Sequence, residues 1–339
     1  MKTVIEAVSQ ASVERAAQLI RGGEVVGVPT ETVYGLAANA LDGRAVTKIF
    51  LAKGRPQDNP LISHIASLEM LEGLWERVTP EALTLAKAFW PGPLTIVLPR
   101  GKEVSDEVCA GLPTAAVRWP SHPVAQAVIR ASGVPFAAPS ANLSGSPSPT
   151  TARDVFTDLQ GRIPLILDGG ACGVGVESTV ISLAAGRPEI LRPGHVTREQ
   201  LEAVLERPVA LAGAVTKPLK EGERAASPGM KYKHYAPKAE IVIVKGSRKA
   251  YTDYVNARVQ DGVFALCFEE ERDLLRCPCV TYGRETDEDS QARELFSALR
   301  RLDEQGARLA YARCPREEGV ALAVYNRLLR AAAFRVVVL

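Results

Sequence analysis

Short apolar runs, closed by polar loops that carry proline or glycine, recur along the 339-residue chain, and stretches of helical periodicity separate most of them. Residues 25–28, 94–98, 115–117, 134–138, 165–167 and 180–183 are such runs. Segments this short with punctuated ends read as strands, and helices between strands imply an α/β sheet with helices packed on it. SVERAAQLIR (12–21) places Val13, Ala16, Ala17 and Ile20 at helical spacing, with Ser12 as its cap and Gly22-Gly23 as its stop. Further helices are expected over 43–52, 67–77, 80–90, 122–132, 151–160 and 197–205. A chain of this length is long for one core, and two domains are expected.

Open α/β sheets hold ligands at the carboxyl ends of their strands, and polar residues concentrate there in this chain. TETVYGLAANA (30–40) follows the strand at 25–28 and reads as a polar turn with Thr30, Glu31, Thr32 and Tyr34. KGRPQDNPLISH (53–64) carries Pro56 and Pro60, so it reads as a stiff loop that presents Lys53 and Arg55. A point charge beside a planar fork suits phosphate oxygens, although the loop alone also reads as a solvated surface. A short strand at 61–65 carries His64, which its apolar neighbours also allow as a core histidine. PSANLSGSPSPT (139–150) has the composition of a flexible linker. A strand precedes it, however, and Thr151 and Asp154 follow with capping-box spacing, so it is held where phosphate or carboxylate can bind. GVGVEST (173–179) leads into a strand rather than a helix and lacks dinucleotide-fingerprint spacing. Thr114 and Arg118 bracket the strand 115–117, and Arg192 ends the one at 190–191.

Residues 206–239 read as a linker, and 217–249 hold nine Lys or Arg against three Glu. Within that stretch, SPGMKYKHYAP (227–237) interleaves Tyr232 and Tyr235 with Lys231, Lys233 and His234, a pattern that stacks on a base while neutralising phosphate. Beyond it, strands at 241–244, 263–268, 280–282, 309–312 and 336–338 alternate with helices near 248–260, 288–304 and 319–333, which implies a small, mostly parallel sheet. No convergent polar cluster is legible there, and nine acids against four bases over 268–294 read as a solvated face.

A net charge of +2 excludes a general basic coat for nucleic acid, so any polyanion site is local. MKTVIEAVSQ lacks the apolar core of a signal peptide, and no run approaches the ~20 residues of a membrane helix. The expected location is the cytoplasm, with no membrane partner. The six cysteines are scattered, and Cys277 and Cys279 have one residue between them where zinc ribbons and redox motifs use two or more. Reduced, mostly buried thiols and no protein-held metal are expected.

Taken in order over residues 25–237, PTETVYGLAANA, KGRPQDNPLISH, PSANLSGSPSPT, ILRPG and SPGMKYKHYAP resemble the threonylcarbamoyl-AMP synthase family of the YrdC type, in its long form with an accessory C-terminal domain. The KxR and SxN elements of that family stand intact as Lys53-Gly-Arg55 and Ser140-Ala-Asn142. The resemblance implies a twisted open α/β sheet domain over 1–205, a linker over 206–239 acting as an active-site lid, and a smaller Rossmann-like domain over 240–339. It implies a nucleotidyltransferase that makes threonylcarbamoyl-AMP and pyrophosphate from L-threonine, bicarbonate or CO2, and ATP. The product would feed the N6-threonylcarbamoyl modification of adenosine 37 in tRNA through a downstream threonylcarbamoyl transferase.

By the same resemblance Lys53 and Arg55 would meet the triphosphate and carry the catalysis, with Asn59, Thr114, Ser140, Asn142, Ser148, Arg192 and Tyr232 completing the ATP site. Thr32, His64, Arg118, Ser178 and the backbone at Ala138 would hold threonine. Mg2+ would accompany the nucleotide, held mainly by phosphates and water. Two rivals stay open: a non-catalytic module that binds tRNA or double-stranded RNA, and an enzyme that adenylates another amino-acid derivative.

Overall fold

The structure, a computed structural model, describes residues 1–218 and 235–339. Its first sheet is built from β1 (Val4–Ala7), β2 (Val26–Val28), β3 (Gly35–Asn39), β4 (Ile62–His64), β5 (Leu94–Pro99), β6 (Thr114–Arg118), β7 (Phe136–Ala137), β8 (Leu165–Asp168), β9 (Thr179–Ser182), β10 (Glu189–Arg192) and β11 (Ala210–Leu211). These eleven strands lie in the order β1-β8-β2-β3-β7-β4-β6-β5-β9-β10-β11. Parallel pairs such as β4 with β6 and β5 with β9 mix with antiparallel ones such as β2 with β3 and β5 with β6. Around the sheet pack α1 (Gln10–Arg21), α2 (Gly43–Lys53), α3 (Pro80–Phe89), α4 (Asp106–Cys109), α5 (Pro123–Ser132), α6 (Ala152–Leu159) and α7 (Arg198–Leu205).

A second sheet follows, formed by β12 (Glu240–Lys245), β13 (Val263–Cys267), β14 (Cys279–Thr281), β15 (Leu309–Arg313) and β16 (Val336–Val338), with α8 (Arg248–Asn256), α9 (Glu288–Glu304) and α10 (Ala321–Ala331) between strands. Its order is β14-β13-β15-β12-β16 and every pairing is parallel, so the small, mostly parallel sheet expected from the alternation is present, as the Rossmann-like domain implied by the resemblance requires. The core under α9 and α10 also takes in Val33 and Val176, which belong to loops of the first sheet. The two sheets therefore share apolar packing at that point.

Several expectations are corrected. Lys53 is the last residue of α2, with Gly54 at φ 61 as the left-handed cap, so the loop begins one residue later than its prolines suggest. Ser9, not Ser12, caps α1; the two serines bond reciprocally in a capping box. Residues 67–77 form only a single 3-10 turn, Glu69–Leu71, because Leu74 and Trp75 turn into the core, where the Trp75 indole donates to the Ala115 carbonyl at 2.9 Å. The polar turn at 30–40 ends at Gly35, where β3 begins, and β1 carried too few residues to stand out. Residues 206–218 do not form a free linker: β11 extends the large sheet beside β10.

Candidate active site

The parallel register of β4 and β6 arranges the site. It pairs Ile62 with Ala116 and His64 with Arg118, so the downstream ends of both strands deliver a histidine and an arginine side by side. Two residues upstream of that pairing lie Pro60 and Thr114, next to Asn59. Four residues of strand separate Thr114 from Arg118, about 13 Å. His64 and Arg118, expected to bind threonine, thus lie toward one end of this strand pair, and Asn59 and Thr114, expected at the ATP site, toward the other.

At the His64 end, Arg118 is 3% exposed, and each of its three nitrogens donates one hydrogen bond. Its guanidinium donates to Glu31 Oε1 at 2.6 Å, to Thr32 Oγ1 at 3.0 Å and to the Gly92 carbonyl at 3.3 Å. Burial pushes the Glu31 carboxyl up, but the charge and hydrogen bond of Arg118 outweigh it and hold the group below the ordinary carboxylate range. Glu31 Oε2 is buried without a hydrogen-bond partner among the described residues. His64 donates from Nδ1 to the Ile62 carbonyl at 3.0 Å and stacks on Phe136, which leaves Nε2 as an acceptor. Burial, with Arg118 nearby, lowers its pKa to about 3, so it is neutral at physiological pH. Ser178 shares a hydrogen bond with Thr95 at 2.8 Å and accepts from Arg192 at 3.1 Å.

At the other end, Arg55 is 8% exposed, donates to the Asn59 carbonyl at 3.1 Å and lies over the Phe50 ring. Burial lowers its pKa to about 10, which leaves it charged. Asn59 Oδ1 is buried and has no hydrogen-bond partner among the described residues. Lys53 behaves differently from the phosphate contact expected of it: its Nζ is buried and donates to the Ser140 carbonyl, to the Asn142 carbonyl at 2.7 Å and to Asn142 Oδ1 at 3.2 Å. Its charge is used to fold the loop 139–150 against the end of α2. Ser140 Oγ donates to Asn142 Oδ1 at 2.6 Å, and the reciprocal Thr151–Asp154 capping box fixes the far end of that loop to α6.

A cleft of about 520 Å³, measured with its open mouth, joins the two ends. Thr32, Arg55, His64, Arg118, Ala138, Ser140, Ser178 and Arg192 line it. Lys53, Asn59, Asn142 and Ser148 are buried behind its wall, and Thr114 sits at the start of β6 outside it. Tyr232 lies outside the described residues. Residues not expected also line the cleft, among them Glu177 and Tyr235. Tyr235 is 2% exposed, packs on Phe296 at 5.3 Å and takes φ 62. Its only sequence signal was its place beside Tyr232 among cations, which made the two tyrosines equal candidates. Glu177 stood in a glycine-spaced stretch that was read only for what it lacked.

The second domain has a polar cluster that its sequence did not disclose. At the carboxyl end of β15, Arg313 donates to Glu271 at 2.7 Å, to Glu285 at 3.3 Å and to the Gly246 carbonyl at 2.8 Å. Among the described residues no group of three or more His, Cys, Asp or Glu could hold a metal ion, and no helix is long and apolar enough to cross a membrane. The six cysteines are free thiols.

Comparison with known proteins agrees with this geometry. Residues 18–194 match the Sua5–YciO–YrdC family model, described as telomere recombination, and residues 196–333 match the model for the threonylcarbamoyl-AMP synthase C-terminal domain. The chain is 47% identical to threonylcarbamoyl-AMP synthase of Bacillus subtilis over 96% of this chain and 94% of that one. It is 45% identical to threonylcarbamoyl-AMP synthase of Pyrococcus abyssi over 98% of each. The crystal structure of P. abyssi Sua5 complexed with L-threonine superposes with a TM-score of 0.90 at 43% identity, covering 100% of this chain and 99% of that one. The chain belongs to the threonylcarbamoyl-AMP synthase family.

Proposed function

We propose that the cleft joins L-threonine, CO2 from bicarbonate, and ATP into threonylcarbamoyl-AMP and pyrophosphate. The observation that carries this reading is a single cleft that gathers buried Arg55 and Arg192 with Ser140 beside neutral His64, Thr32 and the Arg118–Glu31 pair. Three arginines at 8%, 3% and 6% exposure face an enclosed cleft rather than a surface that a nucleic-acid backbone could follow, which favours small substrates over a bare RNA-binding module.

The threonine amine attacks CO2 and, after losing its proton to solvent, becomes a carbamate. A carbamate oxygen then attacks the α-phosphorus as the bond to the β-phosphate oxygen breaks and pyrophosphate leaves. No protein nucleophile takes part, so the protein's contribution is alignment and charge stabilisation. Arg118 offers the natural partner for the threonine carboxylate, while Thr32, Ser178, the backbone at Ala138 and the His64 acceptor orient its hydroxyl and amine. Arg55 and Arg192 stabilise the charge that develops on the phosphates, with Asn59, Thr114, Ser140, Asn142 and Ser148 around the nucleotide.

Mg2+ would accompany ATP and supply charge neutralisation at the phosphates, without a dedicated protein carboxylate to hold it. The nearest cleft carboxylate, Glu177, already has both oxygens engaged, by Ser148 and by Arg327. Residues 1–205, extended by β11, form the catalytic unit and 240–339 the accessory one, and the remainder of the 206–239 segment, with Tyr232, serves as the lid of the nucleotide site. The unstable product passes in the cytoplasm to a transferase that modifies adenosine 37 of tRNA. Pyrophosphate release measured with ATP, bicarbonate and each amino acid in turn tests the reading: it should require threonine, and release indifferent to threonine would sink it.

A further inference from the structure

One guanidinium of the second domain reaches the floor of the cleft. Arg327, on α10, is fully buried. It donates from Nε to Glu177 Oε2 at 2.8 Å, from Nη2 to the Glu177 carbonyl at 3.1 Å, and from Nη1 to the Pro193 carbonyl at 2.7 Å and to Asn326 Oδ1 at 3.0 Å. Three of these four acceptors belong to the first domain, and they adjoin Ser178 and Arg192, which stand hydrogen-bonded to each other at one end of the antiparallel β9–β10 pair. Glu177 Oε1 accepts from Ser148. Glu177 thus stands between an arginine of the second domain and a hydroxyl expected to serve the nucleotide.

The charge balance of the cleft gives this contact a purpose. Burial alone would push the Glu177 carboxyl up, but Arg327, then Arg192, then the Ser148 hydroxyl hold it below the ordinary carboxylate range, so it is an anion at neutral pH. An ATP polyphosphate must bind beside that anion, in surroundings where like charges repel far more strongly than in water. Without a dedicated counter-charge, Glu177 would repel the phosphates directly and draw Arg192 toward itself.

We infer that Arg327 is a positioning residue of the nucleotide site, supplied across the domain boundary. Its charge cancels that of Glu177, so that Arg55 and Arg192 serve the phosphates, and its bonds to residues 177 and 193 set the separation of Ser178 from Arg192. This depends on the proposed reading only in taking a nucleoside polyphosphate as a ligand of the cleft.

The test is calorimetric binding of the non-hydrolysable β,γ-imido analogue of ATP, with Mg2+, to the full chain. Arg327→Met should weaken binding by about tenfold or more, because the buried carboxylate is left uncancelled. Adding Glu177→Gln to that variant should restore affinity to within about threefold of wild type, since glutamine still accepts from Ser148 and carries no charge. Arg327→Lys, which keeps the charge, should bind at least about threefold tighter than Arg327→Met. A purely structural role would leave the double variant as weak as the single one, and that result overturns the inference, as does an Arg327→Met protein that binds like wild type. Where Arg327→Met does not fold, the comparison of Arg327→Lys and the double variant with wild type decides instead: affinity lost in both overturns it. A wild-type chain that binds no analogue defeats the synthase reading itself, a separate outcome.

Discussion

His64 shows how far a residue's surroundings can move its chemistry. Its pKa is lowered by burial to about 3, whereas an unfolded chain titrates it near 6.5. Between those values the unfolded state binds a proton that the folded state refuses, so stability falls as pH drops below 6.5, by up to about 1.4 kcal/mol per pH unit. Urea melts at pH 7 and pH 5 should show this loss in wild type and a smaller one in His64→Gln. Activity should show no limb from His64 between pH 5 and 8. Arg118→Ala removes the proposed carboxylate partner and strands Glu31 in the interior, with an expected loss of about 3 to 5 kcal/mol in stability. Arg118→Ala combined with Glu31→Gln should recover much of that stability without recovering threonine binding, which thermal melts with and without threonine would separate. The residues that converge here were legible through the family resemblance, since residue type alone left His64 also readable as a core histidine and the arginines as surface ion-pair partners. Glu177 was not, because its role depends on Arg327, 150 positions away along the chain, and no local pattern links the two.

Among the elements, the helices with capped ends and the strands of the second sheet stood out from periodicity alone; α9 occupies the 288–304 that its apolar spacing marked. Residues 67–77 were misread because their apolar positions also suit an irregular segment laid over a core, and two leucines and a tryptophan satisfy either pattern. The tie that Lys53 makes was hidden for a different reason. A lysine beside an arginine on a proline-bearing segment suggests a shared ligand, yet its ammonium ties α2 to the loop 139–150 through carbonyls that only the fold brings near. The role of that tie can be isolated. Lys53→Met keeps the length of the stem and removes all three hydrogen bonds, so amide exchange across 139–146 should quicken by at least about tenfold, a loss of 1.4 kcal/mol or more in local protection. Exchange measured by mass spectrometry without nucleotide reads the loop directly. Unchanged exchange with lost ATP binding would return Lys53 to direct phosphate contact.

At the scale of the whole molecule, the question is whether two sheets behave as two domains. Val33 and Val176, on loops that also build the cleft, are packed in the core of the second sheet. A half-buried pair, Arg300 with Asp158 at 2.9 Å, and a hydrogen bond between Thr150 and Ser297 at 3.1 Å extend the contact along α9. An interface with apolar packing, charge pairs and loops shared with the site couples the two parts, so wild type should unfold in one cooperative calorimetric transition. Gly175 is the place to test it. It takes φ 82, and a Cβ there would lie 2.3 Å from Arg293 Cα and 2.5 Å from the Ala292 carbonyl oxygen, backbone atoms of α9 that cannot swing aside. Gly175→Ala should therefore push α9 away from the 173–177 loop and lower the Tm by several degrees or split the transition in two. Gly173→Ala, two residues earlier, would place its Cβ where no atom lies within 4 Å, and it should melt like wild type. Because the displaced loop carries Glu177 and Ser178, Gly175→Ala should also lose affinity for both substrates while its far-UV spectrum stays native. A wild-type protein that already melts in two steps, with Gly175→Ala indistinguishable from it, would show that the sheets are held together by the chain alone.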